Sequence, residues 1–216
     1  VSVLFFDLDN TLYPRSLGVV ARIDRRINEY LHVRLGVPAS EIDTLRRRFW
    51  VEYGTTLAGL AIEHCVDEDD YLDYVHDVEL ADLLKPDPEL GAMLERLPGR
   101  KAVFSNASRA HAERVLALLR IEKPFENVIG LEDLGYVPKP NAGAFRFALK
   151  SLGASAERCS LIDDLRPNLA AAKRLGMRTI CVSETGSDQA DEAIDYVIAS
   201  VRQIESLVLG ASSLGV

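Results

Sequence analysis

The sequence predicts an α/β fold built on a doubly wound parallel sheet, with a helical insertion after the first strand. Three observations predict it. Short β-rich runs alternate with helical patterns along most of the chain. Several of those runs are near-continuously apolar, as expected for strands buried on both faces. One stretch, from about Arg15 to Asp82, breaks the alternation with helical patterns and no convincing strand.

The strand signals are Val3–Asp7, Lys101–Ser105, Asn127–Gly130, Ser160–Asp163, Arg178–Val182 and Tyr196–Ile198. Between them lie helical patterns at Glu89–Leu97, Ala110–Leu119, Ala142–Leu152, Pro167–Leu175 and Val201–Leu209, and the tail from Gly210 is expected to fray. Gly153 and Gly176 are placed to end two of these helices. Strand–helix alternation argues for parallel strands joined by helical crossovers. The expected division is an α/β body from 1–14 and 83–216 and a helical unit from 15–82. In that unit Val19, Ile23, Ile27 and Leu31 follow the stripe of an amphipathic helix, which Gly36 and Pro38 end. Ser40 and Asp43 suggest a capping box before Leu45, Phe49 and Trp50. A helix from Thr56 to Cys65 and another after Asp67 complete the unit. Glu63 to Asp82 carries nine acidic residues and no Lys or Arg, whereas Arg15 to Arg48 is basic, so the two runs are expected to attract.

A chain of 216 residues fits one core with a modest insertion. Its 48% hydrophobic and 27% charged residues suit a protein that buries a real core. The net charge of −8 argues against nucleic-acid polymers and anionic membranes, although a few local cations suffice for one small anion. No apolar run approaches the ~18–20 residues that span a bilayer. The opening Val-Ser-Val-Leu-Phe-Phe meets Asp7 after six residues, which reads as a buried strand rather than a secretory segment. Cys65, Cys159 and Cys181 lack metal-ligand spacing; Cys159 and Cys181 read as core residues, and a reducing cytoplasm is the expected location.

Phe5-Phe6-Asp7-Leu8-Asp9-Asn10-Thr11 ends the first strand with two carboxylates and a hydroxyl at alternate positions. In an extended chain that period aims Asp7, Asp9 and Thr11 the same way, at the strand end where open α/β sheets bind ligands. Two adjacent acids repel, so the pair implies a shared proton or a bound metal. Ser105-Asn106 ends the second strand with groups suited to phosphoryl oxygens, or to capping the next helix. Asp163-Asp164 ends another strand with a second acidic pair, or forms an exposed turn. Lys139, between Pro138 and Pro140, sits on a stiffened loop from which it could enter the acidic cluster. His111 reads as a helix-surface residue.

In this order the four features resemble the haloacid dehalogenase superfamily of phosphotransferases, over the whole chain. The resemblance implies a Rossmann-like core with an inserted helical cap, and a phosphatase. It implies that Asp7 attacks phosphorus, forming an aspartyl-phosphate, while Asp9 acts as general acid and then base. Thr11, Ser105, Asn106 and Lys139 would bind phosphate. Mg²⁺ would be held by Asp7, the carbonyl of Asp9, Asp164 directly and Asp163 through water. Dehalogenating relatives lack the second aspartate, so Asp9 points to phosphoryl transfer.

A helical lid after the first motif favours small phosphorylated metabolites over polymers. The wording Phe-Phe-Asp-Leu-Asp-Asn-Thr-Leu-Tyr-Pro, with Tyr53-Gly54-Thr55-Thr56-Leu57, resembles the pyrimidine 5′-nucleotidase subgroup. Nucleoside 5′-monophosphates, pyrimidines first, are the expected substrates. The alternatives are a sugar phosphate or other small metabolite, a phosphomutase, or a regulatory binding protein that keeps the fold. Tyr13, Tyr53 and Thr55 are candidate substrate contacts, with Arg15 beside the first; as structural residues, Tyr13 and Arg15 would form the hinge, and Gly54 and a threonine would end one helix and cap the next.

Overall fold

Buried apolar strands assemble into one parallel six-stranded sheet in the computed structural model, which describes residues 2–186 and 188–212. The strands are β1 (Val3–Phe6), β2 (Arg100–Phe104), β3 (Asn127–Ile129), β4 (Cys159–Asp163), β5 (Arg178–Val182) and β6 (Tyr196–Ile198), in the spatial order β3-β2-β1-β4-β5-β6. All six fall where the sequence predicts them. Every residue of β1 is buried, because the strand sits centrally between β2 and β4. Chain order runs outward from β1 to β2 and β3 on one side, and through β4 to β6 on the other. That reversal opens a crevice at the strand carboxyl ends, the usual ligand position in such sheets.

The helices of the sheet body are α5 (Pro88–Arg96), α6 (Arg109–Leu119), α7 (Ala142–Ser151), α8 (Arg166–Arg174) and α9 (Ile204–Ser212). The last begins with a short 3-10 turn at Val201–Gln203 and runs past Gly210, where fraying is expected; residues 213–216 lie outside the described ones. Gly153 and Gly176 adopt the positive φ that lets the chain leave α7 and α8. Phe104 packs edge-on against Phe5 at 6.0 Å and Phe145 at 5.3 Å, tying β2 to β1 and α7. Cys159 and Cys181 are buried free thiols, as their apolar surroundings predict.

Four helices fill the chain between β1 and α5: α1 (Val19–Val33), α2 (Ile42–Tyr53), α3 (Thr56–His64) and α4 (Glu68–His76). The predicted stripe of α1 is inward, with Val19, Ile23 and Leu31 buried and Ile27 packed on the core. The expected charge attraction takes the form of discrete pairs. Arg22 bonds both oxygens of Asp82, and Arg48 both oxygens of Glu63. The expected capping box at Ser40 does not form. The chain instead makes a turn in which Glu41 occupies the cap position without a side-chain bond. The next two caps follow the sequence: Thr55 Oγ1 accepts from Ala58 N at 3.1 Å, and Asp67 caps α4.

α2 and α3 meet without room to spare. A Cβ at Gly59 would sit 2.3 Å from the ring of fully buried Phe49. Gly59→Ala gains about 1 kcal/mol of helix propensity, but overpacking of this kind costs about 1–3 kcal/mol. The variant should therefore be less stable in urea titration, and a raised midpoint would contradict this packing.

Candidate active site

Lys139 organises the crevice. Its ammonium is 1% exposed and donates to Asp7 Oδ1 at 2.8 Å, Asp163 Oδ2 at 2.9 Å and the carbonyl of Phe104 at 2.7 Å. Those acceptors come from the ends of β1, β4 and β2, so one side chain satisfies its three donors on three strands. The lysine is aimed from its own loop by Asn106, which accepts from Lys139 N at 2.8 Å and donates to Lys139 O at 2.9 Å. Asn106 is thus engaged with the lysine backbone, a support that its assignment to phosphate did not anticipate. The alternative reading of Ser105-Asn106 as a helix cap falls away, because Ser108 caps α6 and Ser105 Oγ accepts from Ala107 N.

Asp163 is fully buried, with Oδ1 taking the N–H of Leu165 and both oxygens facing Asn168 Nδ2 at 3.1 Å. Asn168 lies one turn into α8, and the sequence reading missed it; its signal was an amide five residues after a strand-ending carboxylate. Asp164 is less committed, meeting Asn10 Nδ2 and Arg15 Nη2 at 3.5 Å each. Oxygens of Asp7, Asp163 and Asp164 lie within 4.8 Å of one another.

Three carboxylates against one ammonium leave local negative charge out of water. Burial, assisted by Asp163 and Asp164, raises Asp7 well above the carboxylate range despite Lys139. Burial and Asp163 push Asp164 up to about 6, against the pull of Arg15. Burial would lower Lys139, but Asp163 and Asp7 outweigh it and hold the ammonium charged. Carboxylates that resist ionisation together are the donors a hard divalent cation stabilises. The oxygens of Asp7, Asp163 and Asp164 therefore fit such a cation.

The alternation expected beyond Asp7 does not hold. Asn10 takes the left-handed conformation at φ 60° and Leu12 N bonds back to Leu8 O, so the chain curls after the strand. Asp7 and Asp9 line an inner cavity of about 360 Å³ with Ser105, Asn106 and Asp164. Thr11 is turned away into a separate cavity, with its buried hydroxyl unpartnered. Tyr13 lines that second cavity too and reaches Asp9 from behind, its hydroxyl donating to Asp9 Oδ1. Burial, and then that contact, lift the Tyr13 phenol far above its usual range.

His111 is also corrected: it is 1% exposed, with Nε2 at 3.6 Å from Asp9 Oδ1 and its ring stacked on His76 of α4 at 4.4 Å. The i, i+4 pattern of α6 turns it inward. Burial alone would raise Asp9, yet His111 and Tyr13 bring it below the ordinary carboxylate value. Desolvation and the neighbouring His111 hold His76 down at about 3.

Val20, Ile23, Ile27, Leu57, Leu72 and Val75 give the inner cavity an aliphatic roof over its polar floor. Thr55, Thr56, Leu57, Asn106, Leu165 and Asn168 also border an outer cleft of about 810 Å³, so the two spaces adjoin. Tyr53 lines the outer cleft, although its hydroxyl bonds Glu63 Oε1 at 2.9 Å.

Removing the ammonium tests this electrostatic arrangement. Lys139→Met should cost about 3–5 kcal/mol at pH 7, the usual penalty of stranding buried partners. The loss should shrink as pH falls toward 5, because Asp7 and Asp164 then take up protons. Urea unfolding at both pH values checks this, and an equal loss at each would contradict it.

A haloacid dehalogenase-like hydrolase model matches residues 1–176. The chain is 28% identical to phosphate metabolism protein 8 of Saccharomyces cerevisiae, an alignment covering 81% of this chain and 59% of that protein's length. It is 23% identical to phosphoglycolate phosphatase 1 of Pseudomonas aeruginosa, over 94% of this chain and 78% of that one. In fold it resembles the L-2-haloacid dehalogenase of Xanthobacter autotrophicus, with a TM-score of 0.61, 17% identity, and coverage of 97% and 99%. With a family match spanning most of the chain and the ends of β1, β2 and β4, the chain belongs to the haloacid dehalogenase-like hydrolases.

Proposed function

We propose that the protein is a magnesium-dependent phosphomonoesterase acting through an aspartyl-phosphate on Asp7, with helices 15–82 as its cap. The observation that carries this reading is the Lys139 bridge between Asp7 and Asp163, with Asp164 and Asp9 beside it on the cavity floor. Asp9 favours phosphoryl transfer over dehalogenation, because an ester oxygen needs a proton to leave and a halide does not. Relatives named as phosphatases support the same choice.

Asp7 is the carboxylate the bridge orients toward the cavity, and it attacks phosphorus in line with the leaving oxygen. Lys139 and Ser105 offset the charge of the transferred group. Asp9 gives its proton to the leaving oxygen as the P–O bond breaks, then takes one from the water that cleaves the acyl phosphate. Asp7, Asp163, Asp164 and the Asp9 carbonyl would hold Mg²⁺, which supplies charge neutralisation for the nucleophile and the phosphoryl oxygens.

Nucleoside 5′-monophosphates, pyrimidines first, are the preferred substrates in this reading. The roof supports an uncharged leaving group. Arg15 is the one Lys or Arg among the described lining residues of the inner cavity, and it is turned to Asp164. A carboxylate-bearing leaving group such as glycolate would meet aliphatic side chains there. The outer cleft, with Tyr53 and Trp50, offers room for a base.

A panel of phosphate esters tests the reading. Uridine and cytidine 5′-monophosphates should show higher kcat/KM than phosphoglycolate or hexose phosphates, and a chelator should abolish every activity. A preference for phosphoglycolate would overturn the substrate assignment, and full turnover in excess chelator would overturn the metal.

A further inference from the structure

His111 is a buried group that the reaction above leaves unused. Neither ring nitrogen has a hydrogen-bond partner, and unsatisfied buried polar groups are rare enough to call for a reason. Nε2 nonetheless stands 3.6 Å from Asp9 Oδ1, a separation of the kind that tightens when a site is occupied. Tyr13 donates to that same oxygen. Among the described residues no hydrogen bond reaches Asp9 Oδ2, so this oxygen is free to exchange a proton.

The other face of His111 is covered from across the crevice. The His76 ring stacks on it with planes 24° apart. His76 Nδ1 lies 3.1 Å from Ser108 Oγ, the cap of α6, and Arg114 of α6 donates to His76 O at 2.6 Å. The last turn of α4 is therefore fastened to the same part of α6 that carries His111. If α4 lifts away, His111 loses the ring that holds it against Asp9.

We propose that His111, backed by His76, is a positioning residue that aims Asp9 Oδ2 at the leaving oxygen only while helices 15–82 are docked. The proposal rests on the reading of Asp9 as the general acid. In the first step Oδ2, protonated in the substrate complex although without substrate the site favours its carboxylate form, loses that proton to the ester oxygen as the P–O bond breaks. In the second it takes a proton from water, so Asp9 ends the cycle as it began. His111 and Tyr13 hold Oδ1 throughout and transfer nothing.

The test measures kcat, KM and melting temperature for an alkyl phosphate and an aryl phosphate, whose good leaving group needs little protonation. Asp9→Asn serves as the reference and should lose about 10²–10⁴-fold with the alkyl ester and far less with the aryl ester. His111→Ala and His76→Ala should repeat that asymmetry at lower amplitude, about 10–100-fold in alkyl kcat with little change in KM. His111→Gln, which restores a donor toward Oδ1, and His76→Phe, which restores a stacked ring, should recover most of it. These two conservative variants also carry the comparison should an alanine variant fold poorly. Equal losses on both esters, a change confined to KM, or no loss at all would overturn the proposal while leaving the acid in place. A reference variant without the asymmetry would overturn the acid role and this proposal together.

Discussion

A single buried ammonium holds the catalytic end of this molecule together. Lys139 offers three donors, and the fold brings it an acceptor from each of β1, β2 and β4. A charge this far from water persists only when its partners are complete, which makes the arrangement nearly all-or-none. The Asp7 carboxylate is consequently oriented by the neutralisation of Lys139, and Asp163 is fixed by the same contact. Asn106 clamps the lysine backbone from the second strand end. Three strands, one loop and one helix start are thereby held in a common frame, which is the preorganisation that electrostatic catalysis requires.

The cost of that frame is an excess of negative charge. One ammonium cannot neutralise three carboxylates, and burial together with that deficit raises Asp7 and Asp164. A divalent cation held by Asp7, Asp163 and Asp164 would offset it. Above this charged floor, α1 and α4 present aliphatic side chains. The polar floor belongs to strand ends of one rigid sheet. The roof belongs to helices fastened to it through local contacts such as His76 with Ser108 and Tyr136 with Asp69.

Much of this was legible in the sequence because its signals were local. Apolar runs mark β1, β2, β4 and β5, and the acidic and hydroxyl groups sit at the ends of such runs, so topology alone brings Asp7, Ser105 and Asp163 together. What stayed hidden depends on backbone geometry or on contacts distant in sequence. The curl at Asn10 turns Thr11 out of the cavity, and nothing in the spelling of the motif distinguishes a curl from a continued strand. His111 looked like a helix-surface residue because its cover, His76, is 35 residues away on another helix. Asn168 is recognisable only once Asp163 is known to need partners. Ser40 failed as a cap because the turn before α2 closes through its own backbone bonds instead.

The most direct test of this account is to trap the covalent intermediate. The enzyme would be quenched in acid during turnover of a phosphate ester, the acyl phosphate reduced with borohydride, and the modified peptide sequenced by mass spectrometry. The account predicts reduction at Asp7, lost when a chelator is present before substrate. Modification at Asp9, Asp163 or Asp164, or turnover with no reducible acyl phosphate at all, would contradict it.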